Sequence, residues 1–404
     1  MKIKAIESWK STLLIVFALG GFSSYAQNSV IISGQDPNRR VITTAVPFLN
    51  FAPDSRHSGM GDVGVATSPD ANSAHWNSGK LAFIKDDLGF SLSYSPWLGR
   101  LVNDMSVSYL TGFKKIDENS AFGFDMRYFN MGNIQLTDGV GNPLGEFNPR
   151  DIAIGGTYSR KLSQNFGLGI SARFIHSNLS GNISSAGGSE AKPGISVGTD
   201  IGLYYQKPIF IGAKDGTWSW GAAITNIGPK ITYNSAEDLD YIPTNFRIGT
   251  AYSINFDPVN SITFALDFNK LMVPTPPLYE TNQDGSLATD ENGNLIIKAG
   301  EDPNRALISG MFGSFSDAPD GFNEELREFN ISFGVEYKYA EKFALRTGYF
   351  YENPSKGGRR YFTMGLGMTL KKIGFDFSYL VPQVQNHPLA ETLRFSLLYT
   401  INSN

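Results

Sequence analysis

The sequence predicts an all-β protein, a 14-stranded antiparallel transmembrane β-barrel with an N-terminal hatch or plug segment ahead of the first strand. Three observations predict it. The first residues read as a secretory leader with no later apolar helix. The composition is low in charge and rich in glycine and aromatics. From Leu88 onward, apolar residues recur at every second position in fourteen separate runs.

The leader comes first. Lys2, Lys4 and Lys10 precede an apolar stretch from Leu13 to Leu19, and Ser24-Tyr25-Ala26 precedes Gln27, the layout of a signal peptide over residues 1–26. Its apolar core is too short to span a bilayer, and no later window approaches the roughly 18 to 20 apolar residues a spanning helix needs. The remaining chain divides into an N-terminal segment and hatch at 27–86 and a barrel at 87–404 with a long outer loop at 271–326. Cysteine is absent, which excludes disulfides, thiolate metal sites and an acylated N-terminal Cys. Losing the three Lys and one Glu of 1–26 would move the formal charge of −4 to about −6, so no basic surface points to nucleic acid. Charged residues are 18% of the chain and 43 of 404 residues are glycine, against about 25% and about 7% in soluble domains. A secreted, cysteine-free chain of this kind suggests outer-membrane β structure.

The strands follow in order. Leu88, Phe90, Leu92 and Tyr94 alternate with Gly89, Ser91, Ser93 and Ser95. The pattern repeats at Met105, Val107 and Tyr109, at Phe122 to Tyr128, at Ile152 to Tyr158, at Phe166 to Phe174, at Ile195 to Tyr205 and at Trp218 to Ile224. It continues at Phe246 to Tyr252, Ile262 to Phe268, Phe329 to Tyr337, Phe343 to Tyr351, Phe362 to Leu370, Ile373 to Tyr379 and Leu393 to Ile401. Fourteen is even, as bacterial barrels require. Links after odd-numbered strands are long and links after even-numbered strands are short, as a barrel with outer loops and periplasmic turns demands. QKPIFIGAKDG, after the sixth strand, is longer than that rule expects. The last strand ends LLYTINSN, without the terminal aromatic common in bacterial barrels.

With the apolar face toward lipid, the inner face carries Asp125, Arg127, Arg173, Asp200, Arg247, Asp267, Glu336, Arg346, Asp376 and Arg394. Five are acidic and five basic, which suits a lumen lined by ion pairs better than a selective pore with a ring of one sign. Glycine recurs on the same face, from Gly89 and Gly123 to Gly367 and Gly374, and glycine in a strand marks a close backbone approach. SGMGDVGVATSPDANSAHWNSGKLAF, residues 58–83, supplies small residues to approach it. Gly59, Met60, Gly61, Gly64 and Trp76 are therefore read as a hatch filling the barrel. The alternative is a periplasmic cap of two short helices, with Asp70 and Asn72 as N-caps.

The hatch and fourteen strands resemble the long-chain fatty-acid transporter superfamily of outer-membrane barrels. Within it, SGQDPNRRVITTAVPFLNFAPDSR at 33–56, GMGDVGVATSPDANSAHWNSGKLAF and NKLMVPTPP resemble the PorV (LptO) family of the type IX secretion system. The resemblance implies a non-enzymatic component that binds the C-terminal signal domain of secreted cargo at the translocon barrel and carries it to the attachment complex. Its partners would be that translocon, those cargo domains, the attachment complex and outer-membrane lipid, with no cofactor. A diffusion channel for apolar small molecules is the alternative. It needs a continuous greasy path, which a lumen of charges and glycines offers poorly. Modification of lipopolysaccharide, the other activity the alternative family name suggests, has no nucleophile and base pair behind it.

Catalytic signals are weak. GISVG at 194–198 fits G-x-S-x-G, but the alternation continues through TDIGLYY where a nucleophile elbow requires a turn and a helix. His57, His75, His176 and His387 show no i, i+4 pair. Asp290-Glu291-Asn292-Gly293-Asn294 lacks the offsets of a calcium loop and reads as a hairpin turn. In the long loop, Pro274, Pro276, Pro277 and Tyr279 suggest a stiff polyproline arm leaving the barrel rim. Met311, Phe312 and Phe315 suggest a partner-binding patch or, alternatively, a lid folded back over the barrel mouth.

Overall fold

The computed structural model describes residues 39–99, 104–179, 192–233, 239–284, 286–383 and 392–401. The leader at 1–26, residues 27–38 and His387 lie outside them. Fourteen antiparallel strands close into one barrel. They are β1 (Leu88–Pro96), β2 (Met105–Lys115), β3 (Ser120–Met131), β4 (Arg150–Lys161), β5 (Phe166–Asn178), β6 (Gly194–Ile211) and β7 (Lys214–Ile227), followed by β8 (Asn245–Asn255), β9 (Asn260–Leu271), β10 (Asn330–Tyr339), β11 (Phe343–Tyr351), β12 (Arg360–Leu370), β13 (Ile373–Pro382) and β14 (Leu393–Ile401). Each strand pairs with its chain neighbours, and β14 closes on β1 from Leu88↔Ile401 to Tyr94↔Phe395. No described helix is long and apolar enough to cross a membrane; the strands do the crossing.

The links sort cleanly. Those after even-numbered strands are short turns, at 116–119, 162–165, 256–259, 340–342 and 371–372. The sixth connection corrects the expectation of a longer link. β6 and β7 stay paired out to Ile211↔Lys214, so only Gly212 and Ala213 turn the chain, with Gly212 at φ +65. Pro208 does not break the strand. Gln206 exchanges hydrogen bonds with Asn165 on the β5 side, so Pro208, two residues on, directs its missing N–H toward a free edge. Proline is tolerated in a strand at such a position.

Phe90, Phe124, Phe264 and Phe333 are exposed on the outer face, while Asp125, Arg127, Arg173, Asp200 and Arg346 are buried. Tyr205, Trp218, Trp220 and Tyr252 cluster near the short-turn end, where an aromatic girdle meets the membrane interface. β2 departs from the expected orientation. Val107, Tyr109 and Phe113 are buried, and Leu110 is the exposed residue. Their large side chains turn inward because the chain ahead of β1 offers apolar partners there: Phe48 and Leu49 for Val107, Leu81 and Ile84 for Phe113.

Residues 45–84 supply one side of the internal core. Met60, Val63, Val65 and Ala66 pack with Ala223, Ala251 and Ala265. The wall accommodates them by having no side chain at the points of contact. A Cβ on Gly348 would lie 2.1 Å from the Met60 carbonyl carbon, and one on Gly334 would lie 2.4 Å from its oxygen. Gly156, on the outer face, has nothing within 4 Å. Gly348→Ala should therefore destabilise the folded barrel by about 1 to 3 kcal/mol, the usual cost of overpacking, while Gly156→Ala should be close to neutral. The midpoint of heat-modifiability in detergent measures both.

Candidate functional site: the filled lumen and its outer rim

The inner segment builds its own polar framework. Asp54 caps the helix α1 (Ser55–Ser58), accepting from the His57 N–H at 3.0 Å as an N-cap does. The same carboxylate accepts from His57 Nδ1 and Trp76 Nε1, both at 2.7 Å. Lys80 donates to the Gly64 carbonyl at 2.7 Å and to Thr67 Oγ1 at 2.9 Å. A second short helix, α2 (Ser73–Trp76), follows Asn72. Asp70 accepts from the Asn72 N–H at 2.9 Å.

This framework is joined to the wall on several sides. Gly64 and Val65 donate their N–H groups to Asp267 on β9, at 2.7 and 2.9 Å. Gly61 donates to Thr363 on β12 at 2.8 Å, Asn77 to the Leu203 carbonyl on β6 at 2.8 Å, and Ala82 to Ser159 on β4 at 3.0 Å. Gly59 meets Gly365, and Gly79 meets Gly202. The guanidinium of Arg56 lies between Asp70 at 2.9 Å and Glu336 at 3.0 Å. Glu336 also accepts from Arg346 at 2.7 Å, and Arg346 reaches Asp376 at 2.5 Å.

The remaining lining residues form separate groups. Arg173 pairs with Asp200 at 2.5 Å, and both bond to Asn226, whose own N–H donates to Asp200 at 2.7 Å. Asn226 has φ +60, beside a register irregularity between β6 and β7. Arg127 donates to the Phe48 and Leu49 carbonyls and lies 2.7 Å from His75 Nδ1. Asp125 is buried beside Gly155. Arg247 lies 5.1 Å over the Trp76 ring. Arg173 with Asp200, and Glu336 with Arg346 and Asp376, thus pair within the wall, while Arg127, Asp267 and Glu336 engage the inner segment. Sequence reasoning named the wall half but missed Arg56, Lys80 and Asn226, and read Asp70 as an N-cap and not as a partner of Arg56. Asp54 ahead of SRHS was an available N-cap signal for α1.

The outer rim is held by a second charged network. The loop at 272–329 contains α3 (Leu307–Gly313) and α4 (Phe322–Arg327). Lys270 bonds to Glu325 and Glu328, and Lys356 reaches Glu324 at 2.6 Å and Glu328 at 2.7 Å. Arg40 lies 2.6 Å from both Asp320 and Glu324. Burial raises the Glu324 pKa, but the hydrogen bonds from Arg40 and Lys356 prevail and hold it at about 2. The proline segment is not an arm standing off the rim. Pro274, Thr275 and Pro277 are buried, with Pro276 and Tyr279 half-buried, because Thr275 bonds to Asp317 through its N–H and to Glu328 through its hydroxyl. Met311 is buried too, whereas Ile308, Phe312, Phe315, Phe322 and Leu326 are exposed. The 290–294 stretch is a turn, with Thr289 bridged to Leu295 and Gly293 at φ +83.

Ser196 lies within β6 and donates to the Pro229 carbonyl at 2.9 Å, and no cluster able to hold a metal exists among the described residues. A family model described as type IX secretion system protein PorV matches residues 34–278. The chain belongs to the PorV family. It is an outer-membrane component of the type IX secretion system, from a family of barrels that are not enzymes. No curated protein sequence matches it significantly. Solved structures similar to this PorV-family chain include the Pseudomonas putida toluene transporter TodX, 12% identical with a TM-score of 0.45, covering 85% of this chain and 96% of that one. The Ralstonia pickettii toluene transporter TbuX is 12% identical with a TM-score of 0.46, covering 88% and 98%. A Pseudomonas aeruginosa FadL homologue is 11% identical with a TM-score of 0.42, covering 90% and 100%.

Glu336→Gln in this PorV-family barrel leaves the guanidinium groups of Arg56 and Arg346 facing each other without their shared carboxylate. Removing one partner of a buried ion network costs about 3 to 5 kcal/mol. The variant should unfold in detergent at a clearly lower temperature, and replacing the rest of the pair as well, with Arg346→Met and Asp376→Asn, should recover part of the loss.

Proposed function

We propose that the protein is a closed adaptor of the type IX system. It binds the C-terminal signal domain of secreted cargo at the translocon barrel and carries it to the cell-surface attachment complex. The residues at 54–84 act as a hatch that keeps the lumen shut, and the outer loop bears the docking surface. The observation that carries this reading is the group of exposed apolar side chains, Ile308, Phe312, Phe315, Phe322 and Leu326, on a loop whose underside is fixed by buried charges. Exposed apolar clusters on an ordered loop mark partner sites. Ordering the loop in advance lowers the entropy cost of binding. The charged lumen also supports an adaptor over a diffusion channel for apolar solutes, because such solutes would have to pass Arg56, Glu336, Arg173 and Asp200.

Replacing Phe312, Phe315 and Phe322 together with Ser should leave the barrel assembled, abolish association with the translocon and retain cargo in the periplasm. Co-purification and cargo fractionation measure the two effects. Normal cargo release from a correctly assembled triple variant would remove docking from this face. Normal secretion with altered uptake of apolar solutes would favour the channel.

A further inference from the structure

The chain ahead of β1 crosses the whole barrel, and it does so from the long-loop end. Arg40 bonds to Asp320 and Glu324 in the longest loop. The Ala45 N–H donates to the Tyr241 carbonyl at 3.0 Å, in the link between β7 and β8. Phe48 and Leu49 pack with Trp97, just past the end of β1, with Phe129 near the end of β3, and with Ile231 and Ile242 in the link between β7 and β8, all at the long-link end of the barrel. By Ile84 the chain has reached Phe113 and Ala121, beside the short 116–119 turn. Phe83 lies under Lys161, next to the 162–165 turn, with Nζ 5.2 Å from the ring centroid. Long loops of bacterial barrels face outside and short turns face the periplasm.

We propose that residues 39–47 form a strap on the cell-surface side, pinned to the outer loop through Arg40 and continuous with the docking face. The docking part rests on the function proposed above. Arg40 is suited to the pin because its guanidinium engages two carboxylates at once, and its side chain is only 10% exposed. Glu324 in turn bridges Arg40 to Lys356, so the strap, the loop ahead of β10 and the link between β11 and β12 share one ion network. Val41 and Thr43, between the bonded Arg40 and Ala45, and Pro47 beyond them remain exposed, adding strap surface to that of the loop.

The natural chain contains no cysteine, so single cysteines report position cleanly. Val41→Cys on intact cells should react with a membrane-impermeant maleimide. Lys372→Cys, in a short turn, should react only after the outer membrane is permeabilised. Arg40→Ala should raise the rate at which external protease cuts the 280–328 region by about tenfold or more, the factor implied by losing a charge-assisted hydrogen bond. Arg40→Lys should keep part of the protection. Labelling of Val41→Cys only after permeabilisation, or an unchanged cleavage rate in Arg40→Ala, would overturn the strap. Affinity for an isolated cargo C-terminal domain should fall in Arg40→Ala. Loss of loop protection with unchanged affinity would overturn the docking part alone and leave the strap standing.

Discussion

Backbone contact between residues 59–79 and the glycines of the inner wall governs how this barrel is filled. Gly59 against Gly365, Met60 against Gly334 and Gly348, Ser78 against Gly169 and Gly79 against Gly202 all approach within the space a single Cβ would occupy. The inward side chains of the wall leave room at these glycines, and residues 59–79 pack into it. That packing explains the glycine content, the small residues of 58–83 and the inward turn of Val107, Tyr109 and Phe113 in β2.

The charges follow from the packing. An inner segment pressed against the wall brings peptide N–H groups into a space without bulk solvent, and each needs an acceptor. Asp267 serves Gly64 and Val65. Buried ion pairs add little net stability, because desolvation offsets much of their attraction, but a misplaced partner is expensive. The chain Asp70, Arg56, Glu336, Arg346, Asp376 therefore acts mainly as a register. It specifies one seating of the inner segment and penalises the others. At the rim, Lys270, Lys356 and Arg40 do the same for the outer loop.

Much of this was legible in the sequence. Period-two alternation located all fourteen strands, because lipid on one face and a packed lumen on the other impose opposite chemistry on successive residues. Its two failures have local causes. Pro208 looks like a strand breaker but faces a free edge, and β2 carries its large residues inward because its partner is protein. The wall charges and glycines were readable for the same reason as the strands. Their partners were not. Arg56 and Glu336 lie 280 positions apart, and nothing local in either stretch announces the other. The proline segment misled because polyproline stiffness says nothing about burial, which Asp317 and Glu328 decide from the far end of the loop.

The central claim is that the inner segment is a fixed filling and that the work of the protein is done at its rim. Ser55 and Ser396 of β14 approach within 3.1 Å through their hydroxyls, so Ser55→Cys with Ser396→Cys places a disulfide between the segment and the wall. The decisive measurement is the rate of cargo release by cells carrying that double variant, oxidised and then reduced. The account predicts equal rates with the segment locked and unlocked. Release that stops on oxidation and resumes on reduction would contradict it, because the segment would then have to move for cargo to leave.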